Sequence, residues 1–312
     1  MSQVILHHYD ASPFTQKALR LLGLKNLDWL SVQMPMMPPK DDLVALTGGY
    51  RGTPVLQIGA DVYIDSQLIA QELEQRFPQP TLFPSGSAGL DFLLTKWSET
   101  FFRTSLAIAV EQTAASWPEP FLNDRKFLFP DFDFSAAMTG SMHARSQFRA
   151  HAGRLNQQLA DGRTFLSGSQ PGLIDVQAAV FVWMARNYFP PVAAALLEPF
   201  TAMPAWEARV AALGEGRRRE TDAAAAFKIA KGSKPAATAG IASDDPTGLA
   251  LNQWVDVAPD DTQRGGSRGQ LVALQWDRMT IAREHASCGH VHVHFPRLGY
   301  RITLASDHGA AA

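Results

Sequence analysis

Three short stretches near the amino terminus bring together groups able to do chemistry. Ser12-Pro13-Phe14-Thr15 puts a hydroxyl at a strand-to-helix turn. Serine as N-cap with proline at the first helical position is a strong start signal, because the cap oxygen accepts an otherwise orphaned N–H and proline has none to lose. Thr53-Pro54-Val55 places a proline at the start of a strand, a position where a cis peptide is often kept and a backbone edge exposed. Asp65-Ser66 sets an acid and a hydroxyl at the start of a helix, where free N–H groups and the dipole favour an incoming carboxylate. Far downstream, His290, His292 and His294 alternate along one strand, with His285 and Cys288 nearby. Imidazoles on one strand face suit zinc, copper or iron. Same-face neighbours lie roughly 7 Å apart, too far for all three to share one tetrahedral ion. Two of them with Asp277 or Glu284 form the alternative ligand set.

The elements that must position these groups follow two periods. Residues 4–9 read as a strand, and Phe14, Ala18, Leu19, Leu21 and Leu22 behind the Ser12 cap read as a helix stopped by Gly23. Residues 27–32 read as a second strand, which makes a parallel, right-handed β-α-β unit. After a short helix, strands at 55–58 and 62–64 flank Gly59-Ala60-Asp61 as a hairpin. A helix over 66–76 keeps Leu68, Ile69 and Leu73 on its apolar side and ends before Pro78. The proline, glycine and serine of 79–89 read as a linker. Helical spacing then returns at 90–110, 142–159, 173–187 and 204–213, with an aromatic, proline-containing insertion from Trp117 to Phe134 between the first two. Arg217-Arg218-Arg219 sit at a predicted helix end, where they complement the dipole. Past a small, polar, flexible stretch at 232–248, residues 254–257, 270–276, 279–283, 290–295 and 300–304 alternate or are β-branched, which predicts a small antiparallel β unit.

Composition narrows the function. A chain of 312 residues supports about two domains with a sizeable core, and 46% hydrophobic content excludes a disordered chain. A net charge of −2 gives no global attraction to phosphate backbones, so no nucleic-acid partner is expected. The single cysteine, Cys288, allows neither an internal disulfide nor Cys-x-x-Cys chemistry. No stretch reaches about 18 apolar residues, and Met1 to His8 lacks the basic and apolar regions of a signal peptide. The expectation is a cytoplasmic protein with no membrane partner.

In this order and at this spacing, the three amino-terminal features resemble the glutathione-binding domain of the glutathione transferases. Pro54, Val55, Asp65, Ser66, Ile69 and Ala70 carry most of the likeness. Phe165-Leu166-Ser167-Gly168 ahead of Gly172-Leu173-Ile174-Asp175 resembles a second family signature, with Gly172 in the cap place usually held by serine or threonine and Asp175 reaching back to its N–H. The resemblance spans residues 3–215. It implies an α/β thioredoxin-like domain over 1–80 and an all-α domain over 90–216, with an appended small antiparallel β-rich unit at 240–306 outside it. It further implies glutathione as cosubstrate, with Ser12 meeting the sulfur. Val55 would pair by backbone with the cysteinyl unit, as an added strand does, with Pro54 in the cis form. Asp65 and Ser66 would bind the γ-glutamyl amine and carboxylate, and Lys40 or Arg51 the glycyl carboxylate. A homodimer with a part in detoxification follows from the same likeness.

Energetics make a serine sufficient. A thiol of pKa near 8.5 is only about 3% thiolate at pH 7, and lowering that pKa by ~2 units takes about 2.7 kcal/mol. A hydrogen bond from Ser12 to an anion supplies roughly 1.5 to 3 kcal/mol and the helix start about 0.3 to 1. Serine forms no mixed disulfide, so the expectation moves from thiol exchange to attack of a bound thiolate on a small apolar electrophile. Tyr9 is the alternative sulfur contact, while His7 and His8 read as ordinary strand residues. The aromatic insertion either walls the electrophile site or packs on the helical core. Two other functions stay open: a non-catalytic glutathione-binding scaffold whose β-rich extension engages a partner, and a metal-binding protein built on His290, His292 and His294.

Overall fold

A computed structural model describes residues 3–306, so Met1 and Ser2 of the signal-peptide reading lie outside the described residues. In chain order the elements are β1 (Val4–His8), α1 (Pro13–Leu24), β2 (Asp28–Gln33), α2 (Asp41–Thr47), β3 (Val55–Ile58), β4 (Asp61–Ile64), α3 (Ser66–Arg76), α4 (Ala88–Thr113), α5 (Glu119–Leu128), α6 (Phe134–Thr139), α7 (Met142–Leu159), α8 (Leu173–Tyr188), α9 (Pro190–Leu197), α10 (Met203–Ala211), β5 (Arg217–Thr221), α11 (Ala223–Lys231), β6 (Trp254–Pro259), β7 (Ser267–Leu274), β8 (Arg278–His285), β9 (Gly289–Pro296) and β10 (Tyr300–Leu304). They fall into two compact units, one of Met1–Asp10, Asp28–Glu72 and Arg218–Ala312, the other of Ala11–Leu27 and Leu73–Arg217.

The first unit is built on one ten-stranded sheet in the order β10-β6-β7-β8-β9-β4-β3-β1-β2-β5. β1 runs parallel to β2 and antiparallel to β3, and the β3–β4 hairpin follows. The extension continues this sheet: β9 lies parallel to β4, with Asp61 opposite His292 and Tyr63 opposite His294. An edge that would otherwise present unpaired N–H and C=O groups is thereby closed. One hydrophobic cluster runs through old and new strands alike, joining Ile5, Leu43, Val55 and Val62 to Val257, Ile281, Val293 and Phe295. At roughly 1.5 to 3 kcal/mol for each large apolar side chain buried, the extension contributes much of what holds this unit together.

Arg217, Arg218 and Arg219 do not end a helix. They start β5, at the edge beside β2, where the Arg217 N–H donates to Leu27 O at 2.7 Å and Arg218 reaches Asp10 at 3.0 and 3.3 Å. The stretch behind them is partly helical as well: Asp222 caps α11 by accepting from Ala225 N–H at 2.8 Å.

The second unit sets α1 against α8 and packs the helices of the middle of the chain around Phe101, Phe148, Phe181 and Trp206. Gly23 lies within α1 instead of stopping it. A Cβ there would stand 2.3 Å from Leu213 O and 2.4 Å from Gly214 O, so its value is close backbone approach. At the start of α8, Asp175 accepts from Gly172 N–H at 3.1 Å as the signature implies, and also from Leu166 N–H at 2.7 Å and Trp206 Nε1 at 2.8 Å. The aromatic insertion contains two short helices, of which α6 packs on α4; Phe134 is buried beside Val110 and Ala114, and Trp117, Phe129 and Phe132 pack partly buried against the same cluster.

Candidate functional site

Asp65 and Ser66 stand where expected, at the turn from β4 into α3. Asp65 adopts a left-handed backbone, φ 77°, which a short acidic side chain tolerates better than most. Its Oδ1 accepts from Gln67 N–H at 2.9 Å and its carbonyl from Ile69 N–H at 2.9 Å, so the residue caps α3 twice. Ser66 opens the helix and is nearly buried.

Two of the groups beside Asp65, Tyr300 and Arg264, come from the extension. The Tyr300 hydroxyl donates to Asp65 Oδ2 at 3.2 Å and lies 3.3 Å from the Tyr50 hydroxyl, while Arg264 Nη1 is 3.9 Å from the same carboxylate oxygen. Burial, reinforced by Tyr50 and Asp65, pushes the Tyr300 phenol far above its usual range, so it remains a donor. Arg264 is held in turn by Thr262 Oγ1 at 2.6 Å and Asp261 Oδ1 at 2.9 Å, and its carbonyl accepts from Arg51 N–H at 2.8 Å. Glycine permits the approach: a Cβ on Gly49 would meet Gly266 O at 2.2 Å, and one on Gly265 would meet Gly49 O at 2.3 Å. Tyr50, Arg264 and Tyr300 were not singled out from the sequence. The paired glycines at 48–49 and 265–266 were the one signal that two backbones meet.

The other candidates of this unit are spread around β3. The Thr53–Pro54 peptide is cis. Val55 is the first residue of β3, an interior strand, with His7 opposite on one side and Ile64 on the other. Lys40 precedes α2 with its Nζ 5.2 Å from the centre of the Tyr9 ring, and Arg51 Nε donates to Gln263 O at 3.4 Å. His7 and His8 are buried strand residues, paired with Gln57 at 2.9 Å and Ser31 at 3.0 Å, and burial drives both imidazoles down to about 4.

Ser12 belongs to the helical unit and caps α1, its Oγ accepting from Thr15 N–H at 3.3 Å. That bond uses a lone pair and leaves the hydroxyl proton to be given elsewhere. The preceding carbonyl, Ala11 O, accepts from the Tyr188 hydroxyl. Two residues beyond Ser12, Phe14 packs 5.1 Å from Phe102, which lies 6.1 Å from Phe129, and all three rings keep some exposure.

The histidines of β9 share one face, with ring centres 5.6 Å apart for His290 and His292 and 6.2 Å for His292 and His294. His294 is engaged: Nε2 meets Asp61 Oδ1 at 2.9 Å, Nδ1 meets Thr280 Oγ1 at 3.0 Å, and its ring stacks on Tyr63 at 4.5 Å. Among the described residues, no group of three or more His, Cys, Asp or Glu is placed to hold a metal ion. None of the described helices is long and apolar enough to cross a membrane.

Comparison with known proteins converges on one family. A model of the glutathione S-transferase N-terminal domain matches residues 6–81, and one of the C-terminal domain matches residues 102–209. Among solved structures, a GST-like protein from Pseudomonas syringae is 33% identical, covers 98% of this chain and 100% of its own, and superposes with a TM-score of 0.79. Two glutathione S-transferases of Ceriporiopsis subvermispora in complex with glutathione share the fold. One is 18% identical over 68% of this chain and 96% of its own, TM-score 0.53, and the other 16% identical over 68% and 98%, TM-score 0.52. No curated protein matches the sequence.

Proposed function

The chain belongs to the glutathione S-transferase family, and on that premise we propose that it binds glutathione, activates its thiol and transfers the sulfur to a small apolar electrophile. The observation that carries the reading is Ser12, whose oxygen is tied to Thr15 N–H while its proton is left to donate to a thiolate at the start of α1. In the reaction the thiol proton passes to water, the thiolate forms a carbon–sulfur bond, and the electrophile releases its leaving group or takes up a proton. Asp65 and Ser66 bind the γ-glutamyl end, Pro54 and Val55 offer backbone to the cysteinyl unit, and Lys40 or Arg51 meets the glycyl carboxylate. The partly exposed rings of Phe14, Phe102 and Phe129 suit an apolar electrophile, because aromatic faces supply large contact area with little entropy to lose. In this reading the protein works as a homodimer in the cytoplasm, in detoxification.

The test is the ionisation of bound glutathione, followed by thiolate absorbance against pH. Loss of a hydrogen bond worth roughly 1.5 to 3 kcal/mol raises the thiol pKa by about 1 to 2 units in Ser12→Ala. An unchanged titration in that variant removes Ser12 from the role, and no binding by the unmodified protein removes the function.

A further inference from the structure

We propose that Arg264, carried by the β-rich extension, receives the α-carboxylate of the γ-glutamyl unit while Asp65 receives its ammonium group. The assignment rests on the glutathione reading above and adds to it a binding residue from beyond the matched transferase domains, which end at residue 209. A γ-glutamyl head carries a cation and an anion on the same carbon. Asp65 and Arg264 present the opposite pair, 3.9 Å apart, too long for a hydrogen bond and short enough for one zwitterion to face both. Neither is sealed off: 21% of the Asp65 side chain and 23% of that of Arg264 remain exposed.

The guanidinium is also pre-oriented. Nε is fixed on Thr262 and Nη2 on Asp261, and the backbone of residue 264 is anchored to Arg51, which leaves the Nη1 side turned towards Asp65. A planar cation held in this way loses little freedom on meeting a carboxylate, which is where arginine exceeds lysine. Tyr300 steadies the other half by holding Asp65 Oδ2, so the extension shapes both charges of the subsite.

Calorimetric titration of the full chain with two ligands tests the assignment. One is glutathione and the other is 4-aminobutyryl-cysteinylglycine, which lacks only the α-carboxylate. The unmodified protein is expected to prefer glutathione by about 10- to 100-fold, the range for a charge-assisted hydrogen bond. Arg264→Ala is expected to bind the two ligands alike, at the affinity the unmodified protein shows for the analogue. Arg264→Lys, which keeps the charge without the fork, is expected to fall between, and it carries the test if the alanine variant does not fold. Equal binding of both ligands by the unmodified protein, retained preference in the alanine variant, or an equal loss for both ligands overturns Arg264 while leaving glutathione binding in place. Failure of the unmodified protein to bind glutathione overturns this proposal together with the reading it rests on.

Discussion

The Tyr300 hydroxyl donates to Asp65 Oδ2 at 3.2 Å, joining residues 235 positions apart in the chain. Removing it in Tyr300→Phe leaves Asp65 with its Gln67 N–H and with solvent, since the carboxylate is not fully covered. The expected cost is about 1 kcal/mol, read as a lower urea midpoint at unchanged slope. An unmoved midpoint would show that water already satisfies this oxygen.

A second long-range pair ties the extension to β4. Asp61 and His294 are buried, and burial alone would raise the Asp61 carboxyl, but the bonds from His294 and Ala236 N–H outweigh it and hold the group below its ordinary 3.8. The folded value lies below the unfolded one, so this stabilisation is present above pH 3.8 and is lost as pH falls below it. His294→Ala takes the imidazole from Asp61 Oδ1, leaves a buried charge held by Ala236 N–H, and is expected to cost about 3 kcal/mol at pH 7, whereas Asp61→Asn with His294→Gln should cost less because no buried charge is left. Thermal unfolding of the two variants beside the unmodified protein checks the order, and equal losses would contradict it.

These two contacts mark the limit of what local pattern reveals. Ser12-Pro13, the Asp65-Ser66 helix start and the Asp175 cap are written in a few adjacent residues, since a cap involves neighbours three positions apart, and all three were legible. The pairing of β9 with β4 was not, because alternating residues predict a strand without naming its partner. Arg264 and Tyr300 could be recognised as neighbours of Asp65 only after that pairing was known. Alternation placed His290, His292 and His294 on one face, yet the engagement of His294 by Asp61 and Thr280 needed the three-dimensional register. The α11 helix had a readable sign in Asp222 before an alanine run, which the lysines and glycine beyond it obscured.

Stability should fall on mild acidification because of His7 and His8. Both are buried as neutral rings, and their pKa values drop from 6.5 to about 4. The folded values lie below the unfolded one, so the unfolded chain takes up protons first and stability is lost as pH falls from 6.5 towards 4. Each histidine contributes about 1.4 kcal/mol per pH unit inside that window, or nearly 3 for the two. His7→Gln, which can keep a bond to Gln57, should halve the slope of unfolding free energy between pH 6 and 5. A slope unaltered by the substitution would mean that other groups set the acid sensitivity.

Asp175 invites the opposite test, of a carboxylate whose work is structural. Burial raises its carboxyl above the ordinary range, although bonds from Leu166 N–H, Trp206 Nε1 and Gly172 N–H all favour the charge. Those three donors are satisfied by one side chain that is wholly buried, so Asp175→Ala orphans them together and leaves a cavity. With roughly 1 to 3 kcal/mol for each unsatisfied buried group, partly relieved by relaxation, the expected loss is about 3 to 5 kcal/mol. Asp175→Asn retains one acceptor and should lose about half as much. Glutathione affinity, measured at a temperature where each variant is still folded, should remain within a few-fold of the unmodified protein. A variant that keeps its stability but loses glutathione would place Asp175 in the binding site and not in the scaffold beneath it.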